Sequence, residues 1–177
     1  MRHDVAMDPL AFVADADQWQ RVRSMRLRAL RSDPEAYGAT ADHESEYDEA
    51  HWREHIARDR WILVCVDDSD VAIAGVSPQM PDVVIEHCAQ PRGAWIYGCW
   101  VDPVWRGRGI AGMLLEQGRL LAIEWGLPQV GLGVFTTNEP ARRSYERLGL
   151  RPMCDPLPSM RRAGVHFQPM GMPSVPA

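Results

Sequence analysis

The stretch from residue 94 to 125 constrains this chain more than any other. It opens on an apolar run, residues 94–101. It then crosses Asp102-Pro103-Val104-Trp105-Arg106-Gly107-Arg108-Gly109 and continues into a helical pattern over residues 110–125. A strand that turns through glycines into a helix aims backbone N–H groups and the positive end of a helix dipole at one point, which suits a phosphate. Gly107 and Gly109 let the backbone approach a ligand closely or adopt positive φ. Arg106 and Arg108 add charge in the form that matches phosphate oxygens. The same glycines would serve an ordinary strand-to-helix loop; the arginines and the helix start favour the phosphate reading.

Which phosphate ligand fits can be tested on residues alone. Gly107, Gly109 and Gly112 satisfy G-x-G-x-x-G, the dinucleotide fingerprint, which needs an acidic residue about 20 positions on at the end of the next strand. Residues 129–135 contain none. The chain has no lysine at all, which removes the P-loop, protein-kinase and Schiff-base lysines together.

The segment resembles instead the acetyl-CoA site of the GNAT superfamily of N-acetyltransferases. The family pattern R/Q-x-x-G-x-G/A is matched by Arg106-Gly107-Arg108-Gly109-Ile110-Ala111, after a strand ending V-x-P, here Val101-Asp102-Pro103. A second motif follows in N-E-P-A-R-R-S-Y-E-R-L-G-L, with Asn138, Ala141, Tyr145, Glu146 and Gly149. The two stand in order, separated by a helix and a strand, and a looser resemblance extends from about Trp19 to Cys154. It implies an α/β (mixed α+β) fold: one twisted mixed sheet, helices on both faces, and a splayed central strand. It also implies acetyl-CoA as donor, a primary amine as acceptor, and direct attack without a covalent enzyme intermediate. The acceptor would be a small-molecule or peptide amine. A protein N-terminal acetyltransferase is an alternative, as is a non-catalytic module that binds or senses acyl-CoA. No metal is implied, and a homodimer is left open.

Moving an acetyl group from a thioester to an amine requires a neutral amine, donors aimed at the carbonyl oxygen, and a proton for the departing thiolate. Tyr145 is the candidate for the proton, since a phenol stays protonated at neutral pH and the family places a tyrosine there. Ala141, Tyr145 and Leu148 also share a helix face, so spacing alone would make Tyr145 a half-buried core residue. The resemblance assigns the cofactor's phosphates to Arg106, Gly107, Arg108, Gly109, Ile110, Ala111 and Gly112. It assigns the pantetheine arm to backbone groups of Cys99 and Val101, with an N–H near Val101 polarising the thioester carbonyl. Asn138 could cap a helix, contact the cofactor, or do both. The general base is missing from this pattern. Some relatives carry a glutamate on the central strand, but residues 94–101 have no carboxylate; Glu86, His87 and Asp102 are merely near in sequence.

Composition sets wider bounds. With 177 residues, one domain spanning 1–177 is expected, its core over about 17–172 and its ends frayed. Nineteen arginines against 24 acidic residues give a net charge of −5, which argues against nucleic-acid binding. Nothing suggests a membrane span or a signal segment, and Cys65, Cys88, Cys99 and Cys154 form no C-x-x-C. Reduced thiols and a cytoplasmic setting are the expectation.

Periodicity predicts helices over 17–31, 44–58 and 110–125, and a short one from Pro140 to Gly149. It predicts a hairpin of strands 61–66 and 71–77, with residues 83–88 extending it or standing as a separate strand. The central strand 94–101 should place Ile96 and Trp100 on one face, and Trp95, Tyr97 and Val101 on the other. Further strands are expected at 130–134, 150–154 and 165–172.

Two segments have competing readings. His51-Trp52-Arg53-Glu54-His55 matches the zinc motif H-x-x-E-H, but Trp52 and Ile56 look like the packing face of a helix. Residues 33–49 hold seven carboxylates and no arginine. They are either a solvated surface or a rim that attracts a cationic acceptor.

Overall fold

The computed structural model describes residues 8–90 and 92–175. Its centre is one mixed sheet of eight strands. Along the chain run β1 (Leu10–Ala14), α1 (Trp19–Ser32), α2 (Ala41–Ser45), α3 (Glu49–Arg58), β2 (Arg60–Val66) and β3 (Ser69–Ser77). Then come α4 (Asp82–Cys88), β4 (Ala94–Val101), α5 (Ile110–Glu124), β5 (Gln129–Phe135), α6 (Glu139–Arg147), β6 (Arg151–Pro152), β7 (Leu157–Pro158) and β8 (His166–Pro173). The strand order is β1-β2-β3-β4-β5-β8-β6, with β7 also on β8. All pairings are antiparallel except β4 with β5.

Helices cover both faces, as expected. On one, Ile110, Leu114 and Leu121 of α5 pack on Ile62, Val64, Val76, Ile96 and Val130. On the other, Val22, Met25 and Ala29 of α1 and Trp52 and Ile56 of α3 pack on Trp61, Leu63, Ile73 and Trp100. Burying a side chain of this size contributes about 1.5–3 kcal/mol each, so the two layers jointly hold β2, β3 and β4 flat between them. No helix of the described residues is long and apolar enough to cross a membrane.

The structure corrects several expectations. The core begins earlier than residue 17, because β1 pairs along its whole length with β2; the expected fraying of residues 1–7 and 176–177 falls outside the described residues. The single helix expected over 44–58 is two, because Asp48 caps a new start by accepting from the His51 N–H at 2.8 Å. Residues 83–88 are helical, not a strand. Pro81 precedes their first turn, and Val84 and Cys88 bury one face at helical spacing, which overrides the β-propensity of Val-Val-Ile. Cys88 and Cys154, expected to be thiols, form a disulfide whose Cα atoms lie 5.0 Å apart, while Cys65 and Cys99 are free. A separation of 66 residues hid that pairing, which arises only when α4 folds over the sheet.

The central strand holds the most consequential correction. Ile96, Cys99 and Val101 face the α5 layer, whereas Tyr97 and Trp100 face the α1–α3 layer. Simple alternation fails because three steps of β4, from Tyr97 to Trp100, oppose two of β3, from Gly75 to Ile73. The extra residue is absorbed at Gly98, where φ is +60°.

Candidate active site

β4 and β5 pair only from Ala94↔Val130 to Ile96↔Leu132, and beyond Ile96 they part. The gap opens into a cleft of about 560 Å³. Its β4 wall carries Cys99, Trp100 and Val101; its far wall is α6, with Asn138, Ala141, Ser144 and Tyr145; its end is the turn from Arg106 to Gly112. Of the residues singled out in the two sequence motifs, Val101, Arg106, Gly107, Gly109, Ile110, Ala111, Asn138, Ala141 and Tyr145 line this cleft; Glu146 and Gly149 do not, nor does Arg108, which stacks over the Trp105 ring at 4.8 Å.

The turn leaves a helix start open. Gly109 stands at the N-cap of α5 with φ +82°, and its missing side chain leaves the first-turn N–H groups uncapped. Gly107 has φ +76°, and a Cβ added at either glycine would meet nothing within 4 Å. The glycines therefore serve backbone conformation and open space rather than tight packing. This meets the donor chemistry that a pyrophosphate needs.

Arg106 is engaged differently from the expectation. Its guanidinium donates to the Val101 carbonyl at 2.9 Å and to Asp33 at 2.8 Å. Asp33 also accepts from Trp100 Nε1 at 2.7 Å. Burial pushes the Asp33 carboxyl up, but the hydrogen bonds from Trp100, Ser32 and Arg106 outweigh it and hold the carboxyl below its ordinary value. Arg106 thus braces the turn against β4 and α1. Arg147 on the cleft wall and Arg108 over Trp105 beside it make no ion pair among the described residues.

Asn138 does cap α6, its side chain accepting from the Ala141 N–H at 3.3 Å. Tyr145 is half-buried in the cleft, its phenol beside the Cys99 side chain of β4. Burial and the neighbouring Cys99 push the Tyr145 phenol well above its ordinary value, so it holds its proton. Burial likewise raises the Cys99 thiol. Tyr37, which no motif singled out, donates from its hydroxyl to the Cys99 carbonyl at 3.2 Å. It reaches the cleft from the loop after α1, and nothing in its sequence neighbourhood marks it.

The match extends to known proteins. Residues 20–150 match the model of the Acetyltransferase (GNAT) family. The chain belongs to that family. It is 26% identical over 132 residues to the L-amino acid N-acetyltransferase AaaT of Escherichia coli K12, covering 70% of this chain and 74% of that protein. Its fold is shared with a GNAT acetyltransferase of Streptococcus pneumoniae at TM-score 0.71 and 14% identity, over 94% of this chain and 99% of that one. It is shared too with yncA of Salmonella typhimurium, solved with its cofactor acetyl-CoA, at TM-score 0.67 and 13% identity, over 97% and 96% of the two chains.

None of the three titratable residues near the central strand in sequence is placed as a general base. Asp102 is buried, paired with Arg28, and accepts from the Val104 N–H at 3.0 Å. Glu86 and His87 are exposed on α4, the helix that replaced the expected strand.

The acidic stretch dissolves into pairings. Asp33 holds Arg106, Glu35 pairs with Arg162, Glu44 with Arg26, and Glu49 with Arg53, while Asp48 caps α3. Asp42 and Glu46 alone of the seven are left exposed without an ion pair or a capping role among the described residues. The H-x-x-E-H histidines are also committed. His51 stacks on Tyr47 at 3.8 Å, and His55 Nε2 lies 3.7 Å from Asp59. Burial and Arg58 lower the His55 pKa, so the ring is neutral at neutral pH.

Proposed function

We propose that this chain is an acetyl-CoA-dependent N-acetyltransferase whose donor lies in the β4–β5 cleft. The observation that carries the reading is the parting of β4 from β5 directly above an uncapped helix start. The donor supplies a thioester carbonyl for attack and a thiol as leaving group. The residues divide the remaining work. N–H groups at the start of α5, from Ile110, Ala111 and Gly112, take the phosphates, with Arg108 and Arg147 contributing charge. The carbonyls of Cys99 and Val101 accept from Tyr37 and Arg106, on the edge of β4 that has parted from β5. In a strand, N–H and C=O of one residue point to the same side. Their N–H groups therefore also face the gap, and the one at Val101 is the donor for the developing negative charge on the carbonyl oxygen. Tyr145, whose phenol lies beside the Cys99 sulfur and holds its proton, is placed to give that proton to the departing thiolate as the C–S bond breaks and the C–N bond forms.

A cytoplasmic location, a single domain, and action without nucleic-acid or membrane partners belong to the same proposal. The test uses Gly109→Asp, which puts a side chain at φ +82° and a negative charge where the phosphates sit. Calorimetric affinity for acetyl-CoA should weaken about tenfold or more, equivalent to about 1.4 kcal/mol or more. Free coenzyme A should appear when the parent meets a panel of primary amines. Unchanged affinity in a folded variant, or tight NAD binding by the parent, would sink the reading.

A further inference from the structure

A second cavity, of about 870 Å³, opens on the other side of β4, between α3, β2 and the segment leading into α4. Its walls are aromatic: Tyr47, His51, Trp52, Trp61, Trp95 and Tyr97. The rings are ordered against one another. Trp61 meets Tyr97 edge-on at 5.4 Å and Trp52 at 6.5 Å, and Tyr47 stacks on His51. Walls of this kind take a flat ring, by stacked or edge-on contact.

The polar groups around this cavity are unevenly spent. Its inner carboxylates are occupied. Glu44 receives two bonds of 2.8 Å from Arg26, and Asp59 receives Tyr97 Oη at 2.7 Å and Arg58 at 3.3 Å. Three of its donors are not. Trp52 Nε1, Trp61 Nε1 and Arg26 Nη1 are buried without an acceptor among the described residues. At the mouth, the Arg161 guanidinium is exposed and makes no ion pair among the described residues. Buried donors without partners are rare in folded proteins and leave positive potential in the wall that contains them. A cavity with that balance favours a ligand that brings acceptor oxygens and disfavours one that brings further positive charge.

The cavity also adjoins the donor cleft. Arg26 lines the cavity, Tyr37 lines the cleft, and the two stack at 5.3 Å. Arg26 Nη1 lies only 2.7 Å from where a Cβ on Gly98 would be, and Tyr37 Oη bonds Cys99 O. The bulge in β4 is therefore the meeting point of the two spaces. Resting on the acetyltransferase reading above, we infer that this cavity seats the amine acceptor, and that the acceptor is an aromatic amino carboxylate. Its ring lies among the tryptophans and tyrosines, its carboxylate toward Arg161, and its primary amine toward β4 beside Cys99.

The experiment compares four amines with acetyl-CoA as donor. L-phenylalanine has ring and carboxylate, phenylethylamine only the ring, L-alanine only the carboxylate, and spermidine neither. Phenylalanine should give the highest kcat/KM. Arg161→Gln, on the exposed rim, should raise the KM for phenylalanine several-fold and leave that for phenylethylamine unchanged. Separately, phenylalanine should saturate a change in tryptophan fluorescence without any donor present. If acetyl-CoA binds and alanine or spermidine is acetylated as well as phenylalanine, the acceptor assignment is overturned while the transferase reading stands. An Arg161→Gln variant that loses nothing toward phenylalanine overturns the carboxylate placement. If phenylalanine saturates the fluorescence change but acetyl-CoA does not bind, the ligand class is upheld and the transferase reading falls.

Discussion

The cleft and the cavity meet at the same bulge of β4, yet they are made in opposite ways. The cleft is written mainly in two short contiguous stretches, residues 99–112 and 138–148, joined by Asp33, Ala36 and Tyr37 after α1, and depends on backbone: a parted strand pair, positive-φ glycines and an open helix start. The cavity gathers side chains from α1, α2, α3, β2, β3, α4, β4 and the loops between them, and depends on packing and on paired charges. A site built from backbone geometry tolerates most side chains around it and constrains a few glycines and caps. A site built from converging side chains has no such fixed points, and each wall residue can vary with the ligand. The donor side should accordingly respond to changes at single, local positions, while the acceptor side should respond through stability as well as through ligand preference.

The sharpest separation should come from Tyr145→Phe. The change removes a hydroxyl beside Cys99 and keeps a ring that packs against the α5 layer. Turnover should fall roughly 10²–10⁴-fold, with acetyl-CoA affinity by calorimetry nearly intact. Full activity would return Tyr145 to the core and break the claim that the cleft holds chemistry as well as cofactor. A lowered melting temperature with lost cofactor binding would show the hydroxyl to be structural.

Charge pairs on the two sides should differ next. Arg26 and Glu44, beside the cavity, are nearly solvent-free, with side chains 7% and 11% exposed. Glu44→Gln leaves a buried guanidinium without its counter-charge, and urea unfolding should show a loss of about 3–5 kcal/mol. Asp33 and Arg106, bracing the cleft, are 31% and 48% exposed. Asp33→Asn should cost no more than about 1 kcal/mol, because water compensates each freed partner. Equal losses at the two positions would break the contrast between a packed acceptor side and an open donor side.

This contrast also explains what could be read from the sequence. The turn at residues 106–112, the helix after it and the cap at Asn138 were legible because glycine, proline and asparagine have local meanings that survive without tertiary context. The faces of β4 were not legible. Gly98 reads as one more small residue in an apolar run, and only pairing with β3 reveals the bulge that turns Cys99 toward Tyr145. Arg106 matched its motif, but its engagement with Asp33 joins residues 73 apart and had no local sign. The cavity was least legible of all. Trp52 read correctly as core, but His51 and His55 suggested a metal motif, while their partners are Tyr47 and Asp59, each four residues away at an end of α3, and Tyr97 of β4.

The smallest effect should come where sequence suggested one of the larger ones. Seven carboxylates in residues 33–49 could have formed an attractive rim for a cationic acceptor, but four hold arginines and one caps a helix. What remains is Asp42 and Glu46, both exposed. Two solvated charges are screened over about 8 Å at physiological ionic strength, so they add little to capture of an amine. Changing them together, Asp42→Asn with Glu46→Gln, should move the KM for any acceptor by less than about twofold. The change should also be insensitive to added salt between dilute and physiological buffer. A several-fold rise in KM for spermidine that vanishes at high salt would restore the acidic rim. It would also shift the acceptor side from a packed aromatic site toward electrostatic capture, because polyamine selection would then be acting outside the cavity and ahead of it.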